Sequence, residues 1–167
     1  HVIVINKIEH ARAGTVHALI TELQPMSREP LALRQIPIRE GDRVTGYVDL
    51  ALERAYRYRP GAESERVEMP DAVAAREQEE RAHLLETIAD FDDALLEMLL
   101  EDRAPDTATI MADLAADTAE KKVVPVLLGS AHSDGGVHRL LKLLRHEVPG
   151  PDAAAARIGA DGGALHV

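Results

Sequence analysis

The run Val2-Ile3-Val4-Ile5 passes directly into Asn6-Lys7-Ile8-Glu9, and this junction constrains the fold more than any other stretch. Four consecutive β-branched residues predict a strand buried on both faces, the pattern of parallel sheets covered by helices. The carboxyl ends of such strands line the ligand crevice of open α/β sheets, so Asn6, Lys7 and Glu9 are expected at a functional edge. Far down the chain, Val123-Val124-Pro125-Val126-Leu127-Leu128 repeats the design and runs into Gly129-Ser130-Ala131. Two buried strands thus deliver two short polar motifs to one edge.

Between these runs the pattern changes several times. Residues 10–24 place Ala13, Val16, Leu19, Ile20 and Leu23 at helical spacing, and Pro25 stops the helix. Residues 30–38 read as one short strand with Pro37 hinting at a sheet edge. Residues 44–50 and Arg54–Arg59, rich in Val and Tyr, complete a small antiparallel meander with it, and residues 65–69 are a candidate last edge strand. A helix is expected from Asp71 to about Ala89. A second starts at Asp92-Asp93 and carries Leu95, Leu96, Leu99 and Leu100. A third runs from about Asp106 towards Lys121, with Ile110, Met111, Leu114 and Thr118 inward. The last helix, 137–147, is expected to face inward through Val137, Leu140, Leu141 and Leu144. The order strand, helix, long excursion, strand, helix puts the first and last strands in one parallel sheet and the excursion in its own lobe. The expected organisation is therefore residues 1–29 with 121–150 as one unit, 30–120 as an inserted subdomain, and 151–167, rich in Ala, Gly and Pro, as a mobile tail.

Composition removes several function classes. Nineteen basic against twenty-nine acidic side chains give a net charge of −10, which argues against a broad grip on nucleic-acid phosphates. One Phe, three Tyr and no Trp leave little for stacking on single-stranded bases. With no Cys there is no disulfide or thiolate metal site. No apolar run reaches the length of a membrane span, so the chain is expected to be soluble, with no membrane partner. The chain does not begin with Met and opens one residue before its first expected strand, and it is expected to be a piece of a longer protein.

Asn-Lys-x-Asp on one strand and Ser-Ala on a later one form the guanine-reading pair of GTPases. The chain resembles translational GTPases of the elongation factor G type, above all the elongation factor G-like branch. Gly46-Tyr47-Val48-Asp49-Leu50, Arg54-Ala55-Tyr56-Arg57-Tyr58 and Pro125-Val126-Leu127-Leu128-Gly129-Ser130-Ala131 lie in that family's order over residues 2–151. The resemblance implies an α/β fold, a partial P-loop GTPase-type parallel sheet with an inserted α+β subdomain of small antiparallel sheet plus helices. It implies nucleotide-binding roles for Asn6, Lys7, Glu9, Gly129, Ser130 and Ala131. Asn6 would tie the pocket together, the Lys7 stem would cover the base plane, Glu9 would pair with the base edge, and Ser130-Ala131 would supply a backbone N–H. Glu9 stands where the family has Asp, carrying the carboxylate about 1.5 Å farther out.

The resemblance further implies a cytoplasmic parent that binds GTP or GDP with Mg²⁺ and couples GTP hydrolysis to translation elongation on the ribosome. No G-x-x-x-x-G-K-[ST] loop occurs in this sequence, and the switch regions and the family's catalytic His are missing. No catalytic residue, metal ligand or bound cofactor is therefore expected in this piece, which alone should be inert. The alternative is a non-catalytic interaction module in which the inserted subdomain docks a ribosomal stalk-type protein, its Leu-rich helices offering an apolar groove. Arg54, Tyr56, Arg57, Tyr58 and Arg59 form the one basic, aromatic concentration. Alternation places the two Tyr on one strand face and Arg57 and Arg59 on the other, a two-sided strand or a partner patch. Ser130, His132 and Asp134 are too closely spaced for a nucleophile, base and orienter, which are normally drawn from separate elements. Of the eight His, only His10 and His17 are spaced as a helical pair, and none forms a metal-binding motif.

Overall fold

A computed structural model describes residues 1–150, and the tail expected to be mobile lies outside them. In chain order the strands are β1 (Ile3–Ile5), β2 (Leu31–Leu33), β3 (Gln35–Glu40), β4 (Arg43–Asp49), β5 (Arg54–Arg59), β6 (Ala62–Val67) and β7 (Val124–Leu128). The helices are α1 (Thr15–Leu23), α2 (Asp71–Ala89), α3 (Asp93–Leu100), α4 (Thr107–Glu120) and α5 (Val137–His146). They form an α/β structure with a parallel sheet in the order β1-β7-β2 and a separate antiparallel meander in the order β3-β4-β5-β6.

The two apolar runs are neighbours, with Ile3, Val4 and Ile5 in register with Val126, Leu127 and Leu128. Their burial differs from expectation. β7 is the central strand and all of it is buried, whereas β1 is an edge and its Val4 is 40% exposed. A β-branched run marks a strand but does not say how many strands flank it. Pro125 sits in the central strand without breaking it. Val124 N donates towards β2, to Pro30 O, and Gly129 N donates towards β1, to Ile5 O. By alternation the position that Pro125 leaves without a donor faces β1, short of its first paired residue.

Residues 30–38 are two strands rather than one. Leu31–Leu33 pairs in parallel with β7, and Gln35–Glu40 pairs antiparallel with β4. Arg34 lies between and belongs to both sheets. Its N–H donates to Val126 O at 3.0 Å and its carbonyl accepts from Leu50 N at 3.0 Å. The next residue adds a cross-tie, Gln35 Oε1 accepting from Leu128 N at 2.8 Å. Pro37 does lie on an edge strand. The last strand of the meander, 62–67, begins earlier than its apolar end indicates, because the turn at Gly61 (φ 66°) starts it at once.

Helix α1 starts later than its apolar spacing predicts. Residues 8–10 form a 3-10 turn that buries Ile8, and Gly14 at φ 80° resets the chain before Thr15. Helices α3 and α4 start where expected, because the Asp92 and Asp106 carboxylates accept from the N–H groups of Leu95 and Thr109. Leu84, Ile88, Leu95, Ile110 and Leu114 from α2, α3 and α4 join Ile36, Val48 and Val126 in one core. Among the described residues no helix is long and apolar enough to cross a membrane.

Helix α5 is rotated from the expected face. Arg139, Leu143 and Glu147 are buried at successive four-residue steps, while Leu141 and Leu144 are 56% and 44% exposed. The reason is electrostatic. Arg139 Nε donates to Asp49 Oδ2 at 2.7 Å, Glu147 pairs with the wholly buried Arg34, and Arg139 Nη2 lies 3.5 Å from Glu147 Oε1. Asp49 also accepts from the N–H groups of Ala51 and Leu52 through its other oxygen, both at 3.1 Å. Burial works against the Arg139 cation, but Asp49 and Glu147 hold its pKa above the ordinary value.

Candidate functional site

The carboxyl ends of β1 and β7 carry Asn6-Lys7-Ile8-Glu9 and Gly129-Ser130-Ala131 side by side. Backbone bonds continue the pairing past the strands, with Gly129 N donating to Ile5 O at 3.0 Å and Ile8 N to Gly129 O at 3.1 Å. Asn6 Oδ1 then accepts from Ala131 N at 3.0 Å, a contact between residues 125 apart in sequence. Lys7 adopts a left-handed backbone (φ 58°), which turns the chain out of the strand, and its side chain is exposed.

The second loop is closed on itself. Ser130 N donates to Gly135 O at 2.7 Å, and the Ser133 hydroxyl bonds the Ser130 hydroxyl at 2.8 Å. Gly136 makes the return possible. It sits at φ 81°, and a Cβ there would stand 2.3 Å from the Leu128 carbonyl oxygen. Ser130 is buried while His132 and Asp134 are exposed, so the three do not form a catalytic line.

Glu9 faces a different neighbourhood from Asn6. Its carboxylate lies beside Ser130, and the Ser130 hydroxyl, its own backbone N–H and the nearby imidazoles hold its pKa below the usual glutamate range against the cost of burial. Glu9 Oε2 is buried with no hydrogen-bond partner. Glu9, His132 and Ser133 form one wall of an open cavity of about 660 Å³, and Arg43, Arg57 and Tyr58 of the meander form the facing wall.

On β5, Tyr56 and Tyr58 share a face, as alternation predicts. Both are half-buried against Tyr47, with ring centroids 5.2 and 5.7 Å away, whereas Arg54, Arg57 and Arg59 are exposed. The stretch is therefore two-sided, and its outward part consists of the three arginines. The buried group of Asp49, Arg139, Glu147 and Arg34 is absent from the expectations drawn from sequence. The signal available for it is the spacing of Arg139, Leu143 and Glu147, which shares one helical face.

No family model matches the chain. It is 40% identical over 157 residues, 94% of its length, to an elongation factor G-like protein of Synechocystis sp.. Nearly the whole chain is thus similar to one part of an elongation factor G-like protein. It spans 23% of that relative, so most of the relative's length has no counterpart in this sequence. A crystal structure of a Thermus thermophilus protein matches 90% of the chain with a TM-score of 0.77 and 28% identity, and the chain covers 22% of it.

Proposed function

We propose that this elongation factor G-like segment is the base-recognition part of a cytoplasmic GTPase that works with the ribosome in translation elongation. The observation that carries the reading is the Asn6–Ala131 hydrogen bond, which unites the two motifs from opposite ends of the segment. Guanine presents along one edge a carbonyl oxygen followed by two N–H donors. A backbone N–H suits the first and a carboxylate the second, and a base lacking these groups leaves buried polar atoms unpaired at about 1–3 kcal/mol each. Ala131 N–H is the donor and Glu9 the carboxylate. The Lys7 stem covers the base, and the Ser130 hydroxyl steadies Glu9.

Two features of this site bear on how a base would enter. Ala131 N–H already donates to Asn6, so a base carbonyl must take this proton over from the Asn6 amide oxygen. Glu9 rests towards Ser130 and must swing its longer side chain to meet the base. Residues 1–29 with 121–150 serve this site, and the meander and α2–α4 form the inserted lobe, with Leu31–Leu33 contributed to the parallel sheet. GTP or GDP with Mg²⁺ is the ligand of the whole protein. Phosphate and Mg²⁺ binding and the hydrolytic step belong to parts outside this sequence, and the segment alone is inert.

Titration of the full-length protein with GDP, GTP and ADP tests the reading. Guanine nucleotides should bind, ADP should not, and Asn6→Ala should weaken GDP. Equal affinity for ADP and GDP would refute it. A second reading rests on Phe91, Leu96 and Leu100, which are 37%, 41% and 78% exposed. This apolar strip on and beside α3 would dock a stalk-type protein, and Leu96→Ser with Leu100→Ser would abolish that binding while leaving GDP affinity unchanged.

A further inference from the structure

The meander does more than sit beside the two loops. Arg39 of β3 donates to Ala11 O at 2.6 Å, holding the chain just after Glu9, and to Asp42 O at 2.7 Å within its own hairpin. Tyr58 of β5 supports the other loop. Its ring lies against Gly135, where an added Cβ would be 3.3 Å from two ring carbons. Gly135 is the residue whose carbonyl fixes Ser130 N, and Ser130 in turn lies beside Glu9. The orientation of Tyr58 is set by the meander itself through its ring contact with Tyr47.

A polar mismatch lies in the same place. The Tyr58 hydroxyl is buried with no hydrogen-bond partner, and so is Glu9 Oε2, a donor and an acceptor lining one cavity. The Glu9 charge adds to burial in raising the Tyr58 pKa, consistent with both side chains lining this cavity. A buried phenol O–H and a carboxylate oxygen that both lack partners on one cavity favour carboxylate positions in which the two can meet.

We propose that Tyr58 is a positioning residue for base recognition, its ring bracing the Ser130–Gly135 loop and its hydroxyl limiting where the Glu9 carboxylate can stand. The inserted sheet thereby sets the base selectivity of a site built on the parallel sheet. This inference rests on the guanine reading above and extends it to a residue outside the two motifs. Tyr58 acts through Glu9 and Ser130 and does not touch the base.

The test measures GDP and IDP affinity in the full-length protein, wild type, Tyr58→Phe and Tyr58→Ala. IDP lacks the 2-amino group, so the GDP-to-IDP affinity ratio reports how well the carboxylate meets the base edge, while phosphate contacts cancel. Tyr58→Ala should lower that ratio by about tenfold, short of the roughly 100-fold that about 1 Å of misplacement costs. Tyr58→Phe keeps the ring and should lower the ratio about threefold through loss of the hydroxyl. A general loss of stability would weaken both nucleotides together and leave the ratio unmoved. An unchanged ratio in Tyr58→Phe, or in a folded Tyr58→Ala, overturns the proposal. If Tyr58→Ala does not fold, Tyr58→Phe alone decides. A wild type that does not prefer GDP to IDP refutes the guanine reading and this inference with it. A wild type that discriminates while both variants keep its ratio refutes the inference alone.

Discussion

Replacing Glu147 by Gln takes away the carboxylate that neutralises Arg34, whose side chain is 0% exposed. The shape is kept, so the effect is almost purely electrostatic. Removing one partner of a buried ion pair costs about 3–5 kcal/mol, because the remaining charge stays out of water. Asp49 still holds Arg139 at 2.7 Å, so the loss falls on Arg34 and lies near the lower end, about 3 kcal/mol. For a chain of this size each kcal/mol is worth about 2–4 °C, giving a fall in Tm of about 6–12 °C. Urea unfolding followed by far-ultraviolet circular dichroism reads the same loss as a lower midpoint at an unchanged slope. The companion variant is Arg34→Met with Glu147→Leu, which removes both charges and should recover to within about 1 kcal/mol of wild type. Because the pair is buried, the deficit of Glu147→Gln should persist at high salt. A cost below about 1 kcal/mol, or a double variant no more stable than the single one, would refute the reading of Glu147 as the partner that compensates the buried Arg34 charge.

Gly136→Ala and Gly14→Ala separate clash from backbone strain. Both sites have φ near 80°, but a Cβ meets the Leu128 carbonyl only at Gly136. Gly14→Ala should cost about 1 kcal/mol and Gly136→Ala at least about 3, as read by urea titration. Asp117 is buried, and desolvation raises its pKa despite Lys122 beside it. Its folded pKa lies above its unfolded one, so stability is lost as pH rises through the folded value. Asp117→Asn should therefore be more stable than wild type at neutral pH, with the gap closing in acid as the wild-type carboxyl protonates. Glu9 has the opposite sign, its pKa being lowered from 4.5 chiefly by Ser130. Its stabilising contribution is present above that value and disappears as pH falls through the lower folded one. Glu9→Gln should thus be less stable than wild type at neutral pH and match it in strong acid, as seen by thermal melts across pH.

The elements that the sequence makes legible are those specified locally. The apolar runs at 2–5 and 123–128 announce strands, and Asp92 and Asp106 announce helix starts because a capping carboxylate acts within three residues. What stays hidden depends on partners far away. Nothing in Leu31-Ala32-Leu33-Arg34-Gln35-Ile36 says that the chain changes sheets at Arg34, because the choice is made by Val126 and Leu50. The face of α5 escapes a sequence reading for the same reason. Leucines at 140, 141 and 144 form a plausible stripe, and only Asp49 of the meander and Arg34 at the junction of the two sheets make the Arg139 and Glu147 face the buried one. At the candidate site the motifs themselves are visible in the sequence and their adjacency follows from parallel pairing. The turn of Glu9 towards Ser130, and the place of Tyr58 behind it, depend on the packing of two sheets that no spacing rule encodes.

The passage from one sheet to the other through Arg34 has a mechanical consequence. There is no slack segment at that point to act as a hinge, since the same residue is hydrogen-bonded on both sides and its side chain is locked to α5. A push on the far tip of the meander would therefore be passed on to β7 and the loop it carries instead of being absorbed at Arg34.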